Sequence, residues 1–284
     1  MTPRELELPL PHLKLAALAW GDPARPPLLA VHGWLDNAAS FATLAPLLAE
    51  RFHVVAIDLP GHGRSDHRPP GAWYHYLDYT DEVHGAAAAL GWDRFSLLGH
   101  SLGGAVACVF AAVHPAQIER LLLVESLGPL TAPPEQALEH LRRGFGQREA
   151  FREKSLRVFA AIEEAVEARV AASGLSEPAA RLLVERGLRR VDGGWSWSSD
   201  PRLTLATPLR FVEAQIQAML RGIEAPSLVV LAETETPYLP RTLIDARAAC
   251  VHDLRVLRLP GRHHLHLEDP APTARAMLDF RGGI

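Results

Sequence analysis

Short apolar runs that alternate with segments of helical periodicity are the feature that most constrains how this chain can fold. The runs occupy 28–33, 53–61, 95–100 and 120–126, and the periodic segments between them occupy 40–50, 78–91 and 101–115. Each run is short and bounded by turn-forming residues, which favours a buried strand over a helix. This alternation of strands and helices predicts a mainly parallel sheet with helices on both faces.

The alternation is interrupted once, between residues 129 and 222. This stretch is rich in Ala, Glu and Arg, and no β-like run appears until 225–233. It is therefore expected to be a helical insertion, in which the Gly- and Ser-rich stretch 192–201 forms a loop.

The strand pattern then resumes at 227–232 and 254–261, with a helix expected between these two runs and a last helix after Pro270. We therefore predict one α/β core, formed by 1–128 and 223–284, with the insertion as a helical cap domain.

Composition limits the possible partners. The chain has 284 residues, is 48% hydrophobic and carries a formal net charge of −4, so it can bury a sizeable core but has no charge that would attract nucleic acid. No apolar run approaches the roughly 18 residues of a membrane span, and the N-terminus does not resemble a signal peptide. A cytoplasmic protein with a small-molecule partner is expected. Cys108 and Cys250 are interpreted as free thiols.

The most specific candidate for chemistry is Ser101, which has Gly99 and Gly103 two positions away on either side. A predicted strand precedes it and a predicted helix follows it, which is the context of a nucleophile elbow. The helix N-terminus would then direct free N–H groups at a negatively charged oxygen formed on a substrate. The alternative is that Ser101 only caps the helix.

A second glycine turn follows the first predicted strand of the alternation. The backbone N–H of Trp34 in this turn and that of Leu102 would together form an oxyanion hole. His32 is expected to brace the turn rather than to take part in catalysis. Structural roles are also expected for the polar residues of the next glycine-rich turn, which are Asp58, His62 and Asp66.

A serine hydroxyl needs a base, and the segment after the last predicted strand offers His263, His264 and His266. Residue patterns alone do not separate these three. Histidine or cysteine spacings typical of metal sites are absent from the sequence, and no dinucleotide-binding glycine motif follows the first strand. Neither a metal nor a cofactor is therefore expected.

The motifs HGW, DLPGHGRS, GHSLGG and LPGRHHLHLEDP occur in one order along the chain. In this respect the sequence resembles the α/β-hydrolases, and it is most similar to their serine hydrolase-like branch. The resemblance implies a mostly parallel central sheet flanked by helices, with the cap inserted between the sixth and seventh strands. It also implies that His263 is the base, although Arg262 stands where the family usually has glycine.

The same resemblance implies a carboxylate as the third member of a catalytic triad. Glu125 directly follows one predicted strand, and Glu235 lies in the loop after a later strand, where the family more commonly places an aspartate. Glu125 is favoured because no loop separates it from its strand, and Glu235 is the alternative acid.

The expected activity is hydrolysis of small to medium, mostly apolar carboxylic esters through an acyl-enzyme intermediate. Trp195 and Trp197 would either line the acyl pocket or pack the helices of the cap. The same triad could serve a thioesterase, an amidase or a carbon–carbon bond hydrolase. A further alternative is a ligand-binding or signalling protein that has kept the hydrolase fold without its catalysis.

Overall fold

The structure is a computed structural model that describes residues 1–151 and 156–280. Its strands are β1 (Arg4–Pro9), β2 (Lys14–Trp20), β3 (Pro27–Val31), β4 (His53–Ile57), β5 (Phe95–His100), β6 (Ile118–Val124), β7 (Val158–Phe159), β8 (Leu188–Val191), β9 (Gly194–Trp197), β10 (Ser227–Ala232) and β11 (Leu254–Leu259). Its α-helices are α1 (Ala45–Leu48), α2 (Asp78–Ala89), α3 (Leu102–Val113), α4 (Ala137–Ala150), α5 (Ile162–Ser173), α6 (Glu177–Gly187), α7 (Glu213–Leu220), α8 (Arg241–Ala248), α9 (Leu265–Glu268) and α10 (Pro270–Asp279).

Eight strands form one sheet in the order β1-β2-β4-β3-β5-β6-β10-β11. The six strands expected from the apolar runs are all present and run parallel to one another, which confirms the predicted α/β architecture. β1 and β2 were not predicted, and they extend the sheet by antiparallel pairing at the β4 side. β1 is an edge strand with mostly exposed side chains, so it lacks the continuous apolar run that marks a buried strand.

Both faces of the sheet are covered, as a parallel sheet requires. On one face, Val83 of α2 and Phe110 of α3 belong to the same buried apolar cluster as Leu29 of β3. On the other face, Leu48 of α1 and Met277 of α10 pack with a second cluster. Within residues 1–151 and 156–280, no helix is long and apolar enough to cross a membrane.

The carboxyl ends of the six parallel strands meet at one edge of the sheet, where ligands bind in open α/β folds. The loops that leave β3, β5, β6 and β11 at this edge carry Trp34, Ser101, Glu125 and His263, respectively. The fold therefore places the predicted site residues at a common edge although they are spread over most of the chain.

The chain between β6 and β10 forms the insertion, which lies between the sixth and seventh strands of the main sheet as predicted. It contains α4 to α7 and has its own buried cluster, which includes Val166 and Leu183. The insertion was expected to be helical, but β7, β9 and β8 form a small antiparallel sheet in it, and β9 lies within the stretch 192–201 that was expected to be a loop. The strands have only two to four residues, too few for periodicity to reveal them, and Gly193 (φ 84°) closes the turn between β8 and β9.

Candidate active site

Ser101 lies at the sharp turn between β5 and α3. Its backbone has φ 52° and ψ −115°, a conformation that residues other than glycine rarely adopt and that costs about 1–3 kcal/mol. The Ser101 N–H donates to the Val124 carbonyl at 3.0 Å, which ties the turn to the end of β6. The side chain makes no capping hydrogen bond to α3, so helix capping does not explain the serine.

The glycines around Ser101 are required by close backbone contacts. A Cβ on Gly99 would lie 2.4 Å from the Gly103 carbonyl oxygen, and a Cβ on Gly103 would lie 2.0 Å from the Val31 carbonyl oxygen. Because backbone atoms on both sides fill this space, no side chain fits at either position. The second contact also brings the start of α3 against the end of β3.

His263 and Glu125 are in contact at the carboxyl edge of the sheet. The Nδ1 atom of His263 lies 3.2 Å from Oε2 of Glu125, and the other carboxylate oxygen accepts a short hydrogen bond from the N–H of Ala232. Glu125 is 5% exposed and has φ 53°. The backbone carbonyl of His263 lies 3.0 Å from Nε2 of His100, so His263 adjoins the residue that precedes Ser101.

Glu235, the alternative acid, has a different environment. It is exposed and forms an ion pair with Arg241, in which Nε and Oε1 are 3.1 Å apart. In the described part of the chain, no hydrogen bond or ion pair joins Glu235 to His263. The same loop does supply Tyr238, whose hydroxyl lies 3.2 Å from Nδ1 of His263. Sequence reasoning missed Tyr238, which has no motif around it.

The turn after β3 is held by hydrogen bonds of His32. Nε2 of His32 accepts the Leu59 N–H at 3.0 Å, so Nδ1 carries the ring proton and donates to the Gly33 carbonyl at 2.7 Å. Burial lowers the pKa of His32 to about 4, which keeps the ring neutral. These contacts agree with the predicted bracing role.

The N–H groups predicted to form the oxyanion hole are not used elsewhere. Among residues 1–151 and 156–280, no hydrogen bond is donated by the backbone N–H of Trp34 or of Leu102. The Trp34 side chain is 53% exposed, and its indole N–H donates to the Leu203 carbonyl of the insertion at 3.0 Å. Both N–H groups are therefore free to bind an oxyanion, and the turn after β3 also contacts the insertion.

The polar residues of the turn after β4 make structural contacts. The buried carboxylate of Asp58 accepts from the N–H groups of Ala38 and Arg64 and pairs with Arg186 of the insertion at 2.9 Å. Burial lowers the pKa of His62 to about 3. Asp66, which is exposed, accepts from the Lys14 N–H at 2.8 Å.

The two remaining histidines of the terminal motif belong to a second polar cluster. Nε2 of His264 lies 3.2 Å from Oδ2 of Asp36, and Nε2 of His266 lies 3.0 Å from Oγ of Ser40. Burial lowers the pKa of His266 well below its usual value. Neither ring contacts Glu125 in the described residues, so the structure separates the three histidines that residue patterns left equivalent.

Asp36 is the centre of this second cluster. Its Oδ1 pairs with Arg169 of α5, and its Oδ2 also lies 3.6 Å from Nδ1 of His100. Burial alone would raise the pKa of Asp36, but its contacts with His264 and Arg169 hold that pKa well below its usual value. Burial lowers the pKa of His100 to about 4 and outweighs the opposite effect of Asp36. Sequence reasoning missed this cluster.

Trp195 and Trp197 pack inside the insertion. Trp197 makes an edge contact with Phe159, at 5.4 Å between ring centroids, and Arg190 lies over the Trp195 ring at 4.7 Å. Both rings are half-buried against the cluster of the insertion. Of the two interpretations offered for these residues, their contacts favour packing.

Comparison with known proteins agrees with this fold. A family model described as "alpha/beta hydrolase fold" matches residues 26–270. The chain belongs to the α/β-hydrolase family. Among curated proteins, this α/β-hydrolase is 33% identical over 285 residues to "Serine hydrolase-like protein" of Danio rerio, and the alignment covers 97% of this chain and 87% of that protein.

Two solved structures extend the comparison. The hypothetical protein PA1622 from Pseudomonas aeruginosa PAO1 is 43% identical, with a TM-score of 0.90 and coverage of 97% of both chains. A thioesterase domain from the curacin biosynthetic pathway is 27% identical, with a TM-score of 0.84 and coverage of 98% of this α/β-hydrolase and 100% of that domain. The named relatives support a hydrolase.

Proposed function

We propose that this α/β-hydrolase is a serine esterase that cleaves small to medium, mostly apolar carboxylic esters through an acyl-enzyme intermediate. Ser101 is the nucleophile, His263 the base and Glu125 the acid. The observation that carries the proposal is the 3.2 Å contact between Glu125 and His263. This contact lies at the sheet edge where Ser101, in its strained backbone conformation, joins β5 to α3. Nucleophile, carboxylate and imidazole in this chain order are typical of the fold.

The first half of the reaction forms the acyl-enzyme. Oγ of Ser101 attacks the ester carbonyl carbon while Nε2 of His263 takes the hydroxyl proton. Glu125 holds Nδ1 protonated and stabilises the imidazolium that forms, and the Ala232 N–H fixes the carboxylate. His263 then gives its proton to the leaving alcohol as the carbon–oxygen bond breaks.

The second half releases the acid. A water molecule loses a proton to Nε2 of His263 and attacks the acyl carbon, and His263 returns that proton to Oγ of Ser101. In both halves the carbonyl oxygen becomes negatively charged in the tetrahedral intermediate. The unused N–H groups of Trp34 and Leu102 are positioned by adjoining turns and would stabilise this charge.

Residues 129–222 are proposed to act as a cap over this edge of the sheet. Support comes from contacts between the insertion and the loops around the site: Leu203 accepts from the Trp34 indole, and Leu183 accepts from the Asn37 side chain at 2.8 Å. A cap in this position would shape the acyl pocket and limit the access of water. The exposed Trp34 ring would offer an apolar surface to the substrate.

The proposal is tested by ester hydrolysis and active-site labelling. The purified protein should hydrolyse p-nitrophenyl butyrate and react with a fluorophosphonate probe at Ser101. Ser101→Ala should abolish the labelling and lower turnover by about 10⁴-fold or more. Ser198→Ala, which removes a hydroxyl bonded to backbone carbonyls, is the matched control and should leave labelling unchanged.

If the wild-type protein neither labels nor hydrolyses esters, the non-catalytic alternative replaces the proposal. A thioesterase is the second candidate activity, because the curacin thioesterase domain shares this fold at 27% identity. Because an esterase and a thioesterase would use the same triad, the two activities are distinguished by comparing rates on an ester and a thioester with the same acyl group. A higher kcat/KM for the thioester would reassign the substrate class.

A further inference from the structure

Beside the proposed triad lies a group of three side chains with metal-ligand chemistry, here called the Asp36 cluster: Asp36, His100 and His264. Their ligand atoms lie within 4.8 Å of one another. Asp36 follows the turn after β3, His100 ends β5, and His264 follows β11. None of the three is a member of the triad, and their distance in sequence explains why no ligand spacing revealed them.

Two of the three separations within the Asp36 cluster are close to those around a tetrahedral ion, and the third lies within 4.8 Å. Oδ2 of Asp36 lies 3.2 Å from Nε2 of His264 and 3.6 Å from Nδ1 of His100. Ligand atoms bound at about 2.0–2.1 Å in tetrahedral geometry are roughly 3.3 Å apart. Small side-chain movements would therefore bring all three atoms into bonding distance of one ion.

The hydrogen bonding of His100 supplies an independent argument. Nε2 of His100 faces the backbone carbonyl of His263 at 3.0 Å, and a carbonyl only accepts, so Nε2 carries the ring proton. Nδ1 then holds a lone pair, and it is buried without a hydrogen-bond partner. The side chains of His100 and Asp36 are only 1% and 2% exposed, so two electron-rich atoms face each other away from water.

We propose that Asp36, His100 and His264 form a binding site for a first-row transition-metal ion, with Zn²⁺ the best match. Two imidazole nitrogens and one carboxylate oxygen suit Zn²⁺ better than Mg²⁺ or Ca²⁺, which prefer oxygen ligands. His264 would bind through Nε2 after its ring proton moves to Nδ1, which releases no net proton. Water would fill the fourth position.

Arg169 sets the strength of the proposed site. Its guanidinium pairs with Oδ1 of Asp36, so the ion would bind the other oxygen of a carboxylate that is already neutralised. The ion must therefore overcome repulsion from this cation of the insertion. Removing the Arg169 charge should therefore tighten metal binding. If the cluster were purely structural, metal affinity would not rise when this charge is removed.

Binding to the full chain can be followed by titration with Co²⁺, whose visible absorption reports low-coordinate N/O ligation, and by competition with Zn²⁺. His264→Asn should lower the affinity for both ions by more than about tenfold, since even changes to residues outside the ligand set have effects of this size. Arg169→Gln should raise the affinity for both ions several-fold. Mg²⁺ at the same concentration should not compete.

His84→Asn is the matched control, because His84 and His114 form a separate surface pair with ring centroids 5.3 Å apart. This variant should bind like the wild type. Absence of Co²⁺ absorption in the wild type, or loss of binding in His84→Asn but not in His264→Asn, would overturn the proposal. Circular dichroism of each metal-free variant establishes that it is folded, and Arg169→Gln provides the test if His264→Asn does not fold. Because binding is measured directly, the result does not depend on the proposed esterase activity.

Discussion

The main sheet and the insertion are held in place by different interactions. The site residues at the sheet edge follow strands such as β3 and β5, which are joined by continuous backbone pairing and flanked by fully buried side chains. The insertion packs on the core partly through apolar side chains, such as Leu220 of α7, and it contacts this edge through individual polar side chains, among them Arg186 on Asp58 and Arg169 on Asp36.

This difference separates two properties of the site. The positions of Ser101, Glu125 and His263 depend on strand ends and on the backbone conformation beside them. The position of the insertion depends in addition on a few buried charges that must remain paired. Changes at the sheet edge should therefore alter the chemistry with little loss of stability, and changes at the buried charges should do the reverse.

The largest expected effect is on catalysis by a change at the sheet edge. Glu125→Gln keeps the size of the side chain but removes the charge that stabilises the protonated His263, so kcat should fall by about 10³–10⁴-fold. Stopped-flow or steady-state hydrolysis of p-nitrophenyl butyrate measures this fall. Glu235→Gln, at an exposed ion pair, is the control and should retain wild-type turnover. The reverse ranking of the two variants would assign the acid role to Glu235.

The next effect is on stability, at the contact between insertion and core. Arg186→Met leaves the fully buried Asp58 carboxylate without its cation and should lower the free energy of unfolding by about 3–5 kcal/mol. Urea denaturation measures the loss. Arg181→Met, on the same helix but in exposed ion pairs, should cost much less than Arg186→Met, because water screens exposed ion pairs. Equal losses in the two variants would contradict the anchoring role of Arg186.

A smaller effect is expected from pH. The folded protein holds His32 and His62 at pKa values of about 4 and about 3, below the value of about 6.5 in an unfolded chain. Between these values the unfolded state binds more protons, so stability should be full above pH 6.5 and fall as the pH drops toward 4.

Urea midpoints measured from pH 7.5 to 4.5 test this slope. His62→Asn removes one of the titrating groups. The slope of its unfolding free energy against pH should therefore correspond to up to about one proton fewer than in the wild type. His84→Asn, which changes an exposed histidine, should keep the wild-type slope. A wild-type stability that does not change over this range would contradict the neutral, buried state of both rings.

The smallest effect is expected at Tyr238. Its hydroxyl lies as close to Nδ1 of His263 as the Glu125 carboxylate does, at 3.2 Å, but it carries no charge. Tyr238→Phe should therefore lower kcat by about tenfold or less, as for one neutral hydrogen bond. A loss as large as that of Glu125→Gln would show that the tyrosine, not only the carboxylate, positions the base.

Much of the fold could be predicted from the sequence, because its signals are local. A buried parallel strand needs a continuous apolar run, and the runs that became β3 to β6, β10 and β11 satisfy this need. The edge strand β1 and the short strands of the insertion could not be found in this way. The side chains of β1 are mostly exposed, so it has no continuous apolar run. The strands of the insertion are too short for a periodic pattern to repeat.

Some residues of the candidate site could be predicted from the sequence and others could not. Gly99 and Gly103 could be recognised around Ser101 because a tight turn excludes side chains wherever it occurs. Tyr238 and Asp36 could not, since their roles depend on contacts with His263 and His264 that come from distant parts of the chain.

The sequence by itself determined the parallel sheet, the turn at Ser101 and the order of motifs along the chain, because apolar periodicity and glycine act over a few neighbouring residues. Only the tertiary structure decided that Glu125 contacts His263, that Glu235 pairs with Arg241, and that the other two histidines face Asp36 and Ser40. Charged and imidazole side chains are paired by proximity in space, and proximity between distant segments exists only once the sheet has formed.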